Sequence, residues 1–149
     1  MPVPQGLQKK INQALGRSRG GFTTKIHILV DGLGNPMDFV LTGGEVHDNT
    51  QIQTLLAGKK TDCVIADRGY DSDETVAFIE GMNAQVVIPP KSNRINPRDC
   101  DWYVYKERHL VECFIGKIKH YRRVFSRFDK IAERFLTFVK IASAMIWLR

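Results

Sequence analysis

The stretch Cys63-Val64-Ile65-Ala66-Asp67-Arg68-Gly69-Tyr70 decides the fold class of this 149-residue chain. Its first four residues are apolar and include two β-branched side chains, which predicts a short buried strand. The strand runs directly into Asp67 and a glycine-containing turn. In α/β sheets, ligands bind at the edge formed by the carboxyl ends of the strands. Asp67 is therefore a candidate functional carboxylate, although an aspartate in this position also commonly caps a turn or the following helix.

The segments around this stretch alternate between strand and helix patterns. Residues 22–30 and 36–42 predict a β-hairpin, because the Asp31-Gly32-Leu33-Gly34-Asn35 segment between them is rich in turn formers. The other predicted elements before residue 100 are a capped helix after Asp48, a helix over 72–81 and a strand over 85–88. Strands and helices that alternate after a hairpin predict a mixed α/β sheet flanked by helices.

The last third of the chain has helical periodicity, and we expect two long helices over about 103–128 and 130–149. Four residues of the first helix fall within roughly 60° of arc on a helical wheel: Tyr105, Arg108, Glu112 and Lys119. A separate apolar stripe should face the core: Val111, Phe114, Ile118, Tyr121 and Phe125. By periodicity alone the first face is typical of an exposed, salt-bridged surface, because Arg108 lies four residues before Glu112.

Positive charge is concentrated in the same C-terminal region. The net charge is +6; residues 104–149 hold 11 Lys and Arg against 4 Asp and Glu, whereas residues 1–103 hold 11 against 12. The region also interleaves cations with aromatic residues, as in Tyr121-Arg122-Arg123-Val124-Phe125-Ser126-Arg127-Phe128. This pattern is typical of a surface that contacts DNA phosphates, and it makes Arg122, Arg123 and Arg127 candidate DNA contacts. A solvated helix face would give the same pattern.

Composition also bears on compartment and domain organisation. The three cysteines show no paired spacing, so neither a disulfide framework nor a zinc site is expected. No apolar run approaches the roughly 18 residues that a membrane span requires, and residues 1–14 lack the apolar core of a signal peptide. We therefore expect a cytoplasmic protein without membrane anchoring. Its length suits one domain, over residues 23–149, after an irregular basic lead-in over 1–22.

Four residues at fixed spacing resemble a known signature. The sequence matches the tyrosine-arginine-glutamate-lysine signature of DDE transposases in insertion-sequence families four and five at Tyr105, Arg108, Glu112 and Lys119. The gaps between these residues are two, three and six residues long, as in the signature. Three further stretches resemble the same group, and family five most closely: residues 16–27, which begin Gly-Arg-Ser-Arg-Gly-Gly, the Ala66-Asp67-Arg68-Gly69-Tyr70-Asp71 block and residues 135–149. The resemblance covers almost the whole chain from Gly16 onward.

The resemblance implies an RNase H-like fold whose catalytic carboxylates bind metal. Asp67 matches the second catalytic aspartate and Glu112 the catalytic glutamate, and both would be ligands of Mg²⁺ or Mn²⁺. The implied chemistry is hydrolysis at transposon ends, followed by attack of the freed 3′-hydroxyl on target DNA. Arg108 and Lys119 would contact DNA phosphates near the cleavage site. Tyr105 would pack against a sugar or base, or equally against the core.

The first catalytic aspartate of the group has no counterpart at the matching position. No aspartate precedes Asp31; we expect Asp31 to lie in the hairpin turn and Asp48 at a helix N-cap. The resemblance therefore predicts a partial RNase H-like domain without its first strand: a truncated copy, or a downstream reading frame that acts with an upstream segment. Its partners would be double-stranded DNA, at transposon ends and target, and further copies of itself when complete.

Two other functions are compatible with the sequence. A non-catalytic DNA-binding remnant of a transposase would retain only the basic helices, and it would not bind divalent metal at Asp67 and Glu112. An RNase H-like nuclease would instead recruit a different acidic ligand, such as Asp71. Binding of divalent metal at Asp67 and Glu112 separates the transposase from the DNA-binding remnant.

Overall fold

The computed structural model describes residues 13–149, so only the end of the predicted lead-in falls within the described residues. That end is not irregular. Strand β1 (Gly16–Ser18) pairs antiparallel with the start of strand β2 (Gly21–Val30). The tight reversal between them is possible because Gly21 adopts a φ of +102°, a backbone conformation that residues with a side chain rarely adopt.

The predicted hairpin is present. Strand β3 (Pro36–Gly43) pairs antiparallel with β2. Asp31 closes the turn, because its carboxylate accepts hydrogen bonds from the backbone N–H groups of Leu33 and Asn35, both at 2.9 Å. Burial alone would raise the pKa of Asp31, but its hydrogen bonds outweigh that effect and the pKa is lowered. The turn role expected for Asp31 is confirmed.

A parallel pair of strands follows, joined by a helix. Strands β4 (Cys63–Ile65) and β5 (Gln85–Val87) run parallel. Within the described residues, the five strands form two sheets with no ladder between them: antiparallel β1-β2-β3 and parallel β4-β5. The single mixed sheet expected from the sequence is therefore divided, because no described strand pairs with both β2 and β4.

Six α-helices lie within residues 13–149: α1 (Ile52–Leu56), α2 (Asp73–Gly81), α3 (Trp102–Tyr105), α4 (His109–Ile118), α5 (Arg122–Phe125) and α6 (Ala132–Trp147). A 3-10 turn (Lys106–Arg108) joins α3 to α4. No helix among these residues is long and apolar enough to cross a membrane.

The first of the two long C-terminal helices is shorter than predicted. Helical backbone runs from α3 through α4 and stops at Tyr121, whose ψ of 108° is extended. The chain then turns, which brings Val124 into the core and leaves Phe125 71% exposed, contrary to the predicted apolar stripe. The second predicted helix corresponds to α6, a single helix of 16 residues.

Apolar clusters cover both faces of the β2–β3 hairpin. Ile26 and Ile28 pack against a cluster that includes residues of α4 and α6. Leu29 packs against a second cluster that includes residues of α1, β4 and α2. Alternate residues of a strand point to opposite faces, so the two clusters lie on opposite sides of the sheet. The expected α/β class is confirmed, and helices pack against both faces of the hairpin.

Candidate functional site

Asp67 lies just beyond the carboxyl end of β4, as the sequence predicts. It caps a 3-10 turn (Arg68–Tyr70), because its side chain accepts a hydrogen bond from the N–H of Gly69 at 2.8 Å. This bond occupies one of the carboxylate's acceptor positions, so the exposed side chain retains most of its capacity for other ligands. Asp67 lines an open cavity of about 530 Å³. Turn capping and exposure to a ligand therefore coexist in this residue.

Residues from separate parts of the chain line the same cavity. It is lined by Asp48, Asp67, Arg68, Gly69, Pro89, Trp102, Tyr105 and Arg108. Glu112 does not line the cavity but is linked to it, because the Arg108 guanidinium donates a hydrogen bond to the Glu112 carboxylate. The fold thus brings Tyr105 and Arg108 of the signature to Asp67. It also forms the ion pair that helical spacing alone predicts.

The cavity has an aromatic and cationic wall. The Tyr105 ring meets the Trp102 ring edge to face, with centroids 5.6 Å apart. The Arg108 guanidinium lies 5.7 Å from the Tyr105 centroid. Tyr105 therefore contacts site residues and belongs to neither apolar cluster. Trp102 was missed by the sequence reasoning, because its position at the start of a helix carries no specific signal.

Asp48 is the second residue of the site that the sequence reasoning missed. Its expected role as an N-cap is wrong: it is the first residue of a 3-10 turn (Asp48–Gln51) whose N-cap is His47, and the N-cap of α1 is Gln51. Its carboxylate instead accepts a hydrogen bond from the Lys25 ammonium at 3.1 Å and lies 4.0 Å from the His27 ring. These contacts join the 3-10 turn to β2, more than 20 positions earlier in the chain, so no local sequence pattern predicts them.

Gly69 separates the two aspartates. A Cβ atom at Gly69 would lie 2.9 Å from Asp67 Oδ1 and 3.8 Å from Asp48 Oδ2, so both carboxylates approach the same point. Burial and the negative charges of Asp48 and Asp67 raise the pKa of Tyr70 to about 12. The Tyr70 hydroxyl therefore stays protonated at neutral pH and senses the negative potential of this pair.

His27 stays neutral beside Asp48. Burial lowers the pKa of the imidazole; Asp48 acts in the opposite direction and Lys25 in the same direction. The ring shares a hydrogen bond with the Thr42 hydroxyl at 2.7 Å. The charge of Asp48 is consequently balanced by Lys25 rather than by His27.

Asp71 is engaged in a structural cluster. Its buried carboxylate accepts hydrogen bonds from Arg94 Nε at 2.7 Å, from Arg98 at 2.9 Å and from the Lys91 N–H at 2.7 Å. Burial alone would raise the pKa of Asp71, but these hydrogen bonds lower it to about 2. Both oxygens are thus occupied, which argues against the nuclease alternative in which Asp71 serves as a ligand. The cluster instead fixes the loop between β5 and α3.

Lys119 lies apart from the other signature residues. It follows α4 directly and lines a different cavity of about 720 Å³, together with residues of β2 and α5. Eleven residues of helix separate Arg108 from Lys119, a rise of roughly 16 Å. The face predicted from the helical wheel is therefore divided between two cavities.

The three candidate DNA-binding arginines occupy different environments. The Arg127 guanidinium donates to the Thr24 hydroxyl and to the carbonyls of Ala14, Asp129 and Lys130. Arg122 and Arg123 are exposed, and they stack on the rings of Phe128 and Phe138 at 5.6 and 4.4 Å from the ring centroids. Arg127 thus ties the C-terminal region to β2, whereas no hydrogen bond within residues 13–149 engages the side chains of Arg122 and Arg123.

Comparison with known proteins defines the class. The chain matches the transposase DDE domain family over residues 1–145, and it belongs to that family. It is 43% identical over 129 residues to a putative transposase for insertion sequence element IS6501 of Brucella ovis, covering 85% of this chain and 99% of the relative. It is 28% identical over 142 residues to a putative transposase for insertion sequence element IS402 of Burkholderia cepacia, covering 87% of this chain and 64% of the relative. No solved structure matches the chain.

The Asp71 cluster generates a stability prediction. Replacing Asp71 with Asn should lower the free energy of unfolding by about 3 kcal/mol, because it leaves Arg94 and Arg98 without their buried counter-charge. Asp73→Asn is the matched control: its 93% exposed carboxylate also binds Arg94, and its loss should cost less than about 1 kcal/mol. Urea denaturation at neutral pH measures both.

Acid provides a second readout of the same cluster. The pKa of Asp71 is lowered to about 2 in the folded chain, against about 4 in an unfolded one. Its contribution to stability is therefore full above pH about 4 and lost as the pH falls towards 2. The difference between wild type and Asp71→Asn should shrink over that range, and a difference that persists unchanged at pH 2 would contradict this account.

Arg127 and Arg122 should respond differently to the same substitution. Arg127→Gln should lower the free energy of unfolding by about 2 kcal/mol, because hydrogen bonds from a charged group are lost. Arg122→Gln should leave stability within about 0.5 kcal/mol and reduce the slope of log DNA affinity against log salt by about 0.9 if Arg122 contacts one phosphate. Urea denaturation and salt-dependent binding to duplex DNA measure these effects. A stable Arg127→Gln chain with a reduced slope would reverse the two assignments.

Proposed function

We propose that this chain acts in DNA transposition, by metal-dependent cleavage and transfer of DNA strands at insertion-sequence ends in the bacterial cytoplasm. One observation carries the proposal: Asp67 from the end of β4 meets Tyr105 and Arg108 from the α3–α4 segment at one open cavity. Membership of the transposase DDE domain family supports the same reaction class. An RNase H-like organisation of the domain over residues 23–149 belongs to this proposal.

Asp67 and Glu112 would hold Mg²⁺ or Mn²⁺. Their carboxylate oxygens are the hard donors these ions prefer, and Mg²⁺ commonly takes only one or two carboxylates together with water and substrate phosphates. Asp67 has acceptor positions to spare, and the carboxylate of Asp48, which also binds Lys25, approaches the same point. Across residues 13–149, however, no three acidic, histidine or cysteine side chains gather as a metal site. When bound, such ions would stabilise the attacking and leaving oxygens of the phosphodiester.

Arg108 would link the carboxylates to the DNA. A guanidinium has five N–H donors in a planar fork, and the bond to Glu112 uses one of them. The remaining donors suit a backbone phosphate, which would orient the strand beside Asp67. Tyr105, with Trp102 against it, would support a sugar or base of the same strand. Lys119 would reach a phosphate about five nucleotides from the one that Arg108 binds, because the helical rise between the two residues is roughly 16 Å and a DNA strand rises about 3.4 Å per nucleotide.

A further segment would complete the site. The β2–β3 and β4–β5 pairs are not hydrogen-bonded to each other in the described part of the chain. A strand inserted between them would join the sheets and would bring a third carboxylate to the carboxyl end of β4. An upstream transposase segment is the proposed source. Double-stranded DNA and further copies of the chain are the other proposed partners.

A non-catalytic DNA-binding role is the second candidate. It is favoured by the ion pair of Glu112, which occupies one of its oxygens with Arg108. In that case the basic residues Arg122, Arg123 and Lys119 would provide the whole function. The two candidates differ in whether the carboxylates bind a divalent ion.

Metal binding is tested with charge-matched substitutions. Glu112→Gln and Asp67→Asn should each weaken Mn²⁺ binding at least about tenfold, since even the loss of an outer-sphere partner costs that much in metal sites. Glu107→Gln and Asp62→Asn are the controls, because both carboxylates are exposed and neither lines the cavity. Isothermal titration or Mn²⁺ electron paramagnetic resonance provides the measurement. Equal affinity in all four variants would support the DNA-binding role instead.

Gly69 offers a test that changes no charge. A methyl group there would lie 2.9 Å from Asp67 Oδ1, so Gly69→Ala should displace the carboxylate and weaken Mn²⁺ binding. It should lower the free energy of unfolding by only about 1 kcal/mol, the value of the turn-capping bond that is lost. Gly81→Ala is the control, because a Cβ at Gly81 meets no atom within 4 Å. Thermal unfolding and Mn²⁺ titration of both variants provide the readouts. Wild-type metal affinity in Gly69→Ala would argue against Asp67 as a ligand.

A further inference from the structure

A basic cavity lies where the ends of α4 and α6 meet. It encloses about 650 Å³ and is lined by Lys117, His120, Tyr121, Ile146 and Arg149. These residues come from two helix ends and the turns that follow them. The cavity shares no lining residue with the carboxylate site. Its chemistry is therefore separate from that of Asp67.

Three side chains that line the cavity carry hydrogen-bond donors that have no partner in the described part of the chain. Among residues 13–149, no hydrogen bond or ion pair engages the side chains of Lys117, His120 or Arg149. No acidic side chain of the described residues lines the cavity. Two cations and an imidazole thus line one cavity, and no acidic side chain among residues 13–149 shares it.

The Tyr121 hydroxyl provides an independent observation. It is buried and has no hydrogen-bond partner in the described structure, although the ring packs against the apolar cluster of α4 and α6. Buried polar groups are nearly always satisfied, so an orphaned hydroxyl commonly marks a ligand or an ordered molecule. Tyr121 is one of the residues that line the cavity, so an oxygen atom of a bound anion is a candidate partner for its hydroxyl.

A purely structural role for these basic side chains, as stabilisers of the helix ends, explains fewer of the observations than ligand binding does. Lysine and arginine are favourable near helix C-termini, where the last carbonyls are unpaired. None of the three side chains donates to such a carbonyl in residues 13–149, however. The helix-end explanation also leaves the Tyr121 hydroxyl without a partner.

We propose that Lys117, His120, Tyr121 and Arg149 form a binding site for a phosphate group. Cations and neutral N–H or O–H donors around one concave surface are the combination that recognises phosphate oxygens. The phosphate belongs to the DNA backbone or to a free phosphate compound. In the first case the site deepens the proposed function and rests on it, because it adds a DNA contact outside the Tyr105-to-Lys119 signature.

The test uses the full chain without divalent metal, so it is independent of Asp67 and Glu112. Three variants are compared: Tyr121→Phe, the double variant Lys117→Gln with Arg149→Gln, and the control Lys60→Gln. Lys60 is exposed and lines none of the three cavities described above. The first measurement is the salt dependence of affinity for a short duplex. The second is the unfolding temperature in inorganic phosphate against chloride at equal ionic strength.

Three results are distinguishable. If the phosphate is that of DNA, the double variant should lose about 0.9 in the slope of log affinity against log salt, beyond the change in Lys60→Gln. If the phosphate is that of a free compound, inorganic phosphate should raise the unfolding temperature of wild type and Lys60→Gln. It should not raise that of Tyr121→Phe or of the double variant. In chloride, Tyr121→Phe should unfold no earlier than wild type, because the unsatisfied hydroxyl is removed. If both variants match Lys60→Gln in both measurements, the site does not exist.

Discussion

The buried carboxylate of Asp71 is the constraint on which the candidate site depends. Its two oxygens fasten Arg94 and Arg98, and those two arginines belong to the loop that leads from β5 to α3. That loop delivers Trp102 and Tyr105 to the cavity where Asp67 lies, only four residues before Asp71. One ion cluster therefore couples the end of β4 to the start of the helical region. Without it, the long irregular connection would have no charged anchor in the core.

The alternation of β2 performs a second organising role. On one face, Ile26 and Ile28 hold the helices that carry the basic residues. On the other face, Lys25 reaches Asp48 and neutralises it, while Leu29 joins the cluster beneath β4. A single strand thus supports the basic C-terminal helices on one face and the cavity of Asp67 on the other. A register slip of one residue would exchange the two faces and destroy both.

Sequence reasoning succeeded where the determinants are local and failed where packing decides. The hairpin around Asp31 and the placement of Asp67 were predicted correctly, because turn formers and a strand followed by a carboxylate are short-range signals. Asp48 was misassigned as a cap, since its partner Lys25 lies on another element. The extent of the first long helix was also wrong, because the wheel cannot show that burial of Val124 favours a turn at Tyr121. The assignment of Asp67 and Glu112 as ligands stays a prediction.

The ion pair between Arg108 and Glu112 has a thermodynamic consequence for the proposed reaction. A phosphate that binds the free donors of Arg108 would share the positive charge of that guanidinium with Glu112, so it would weaken the ion pair and make the carboxylate more available to a cation. If DNA raises the affinity for the cation in this way, the cation must raise the affinity for DNA by the same factor. The two ligands would then bind cooperatively without any movement of the backbone. Such reciprocity would disfavour binding of the cation alone, in the absence of nucleic acid.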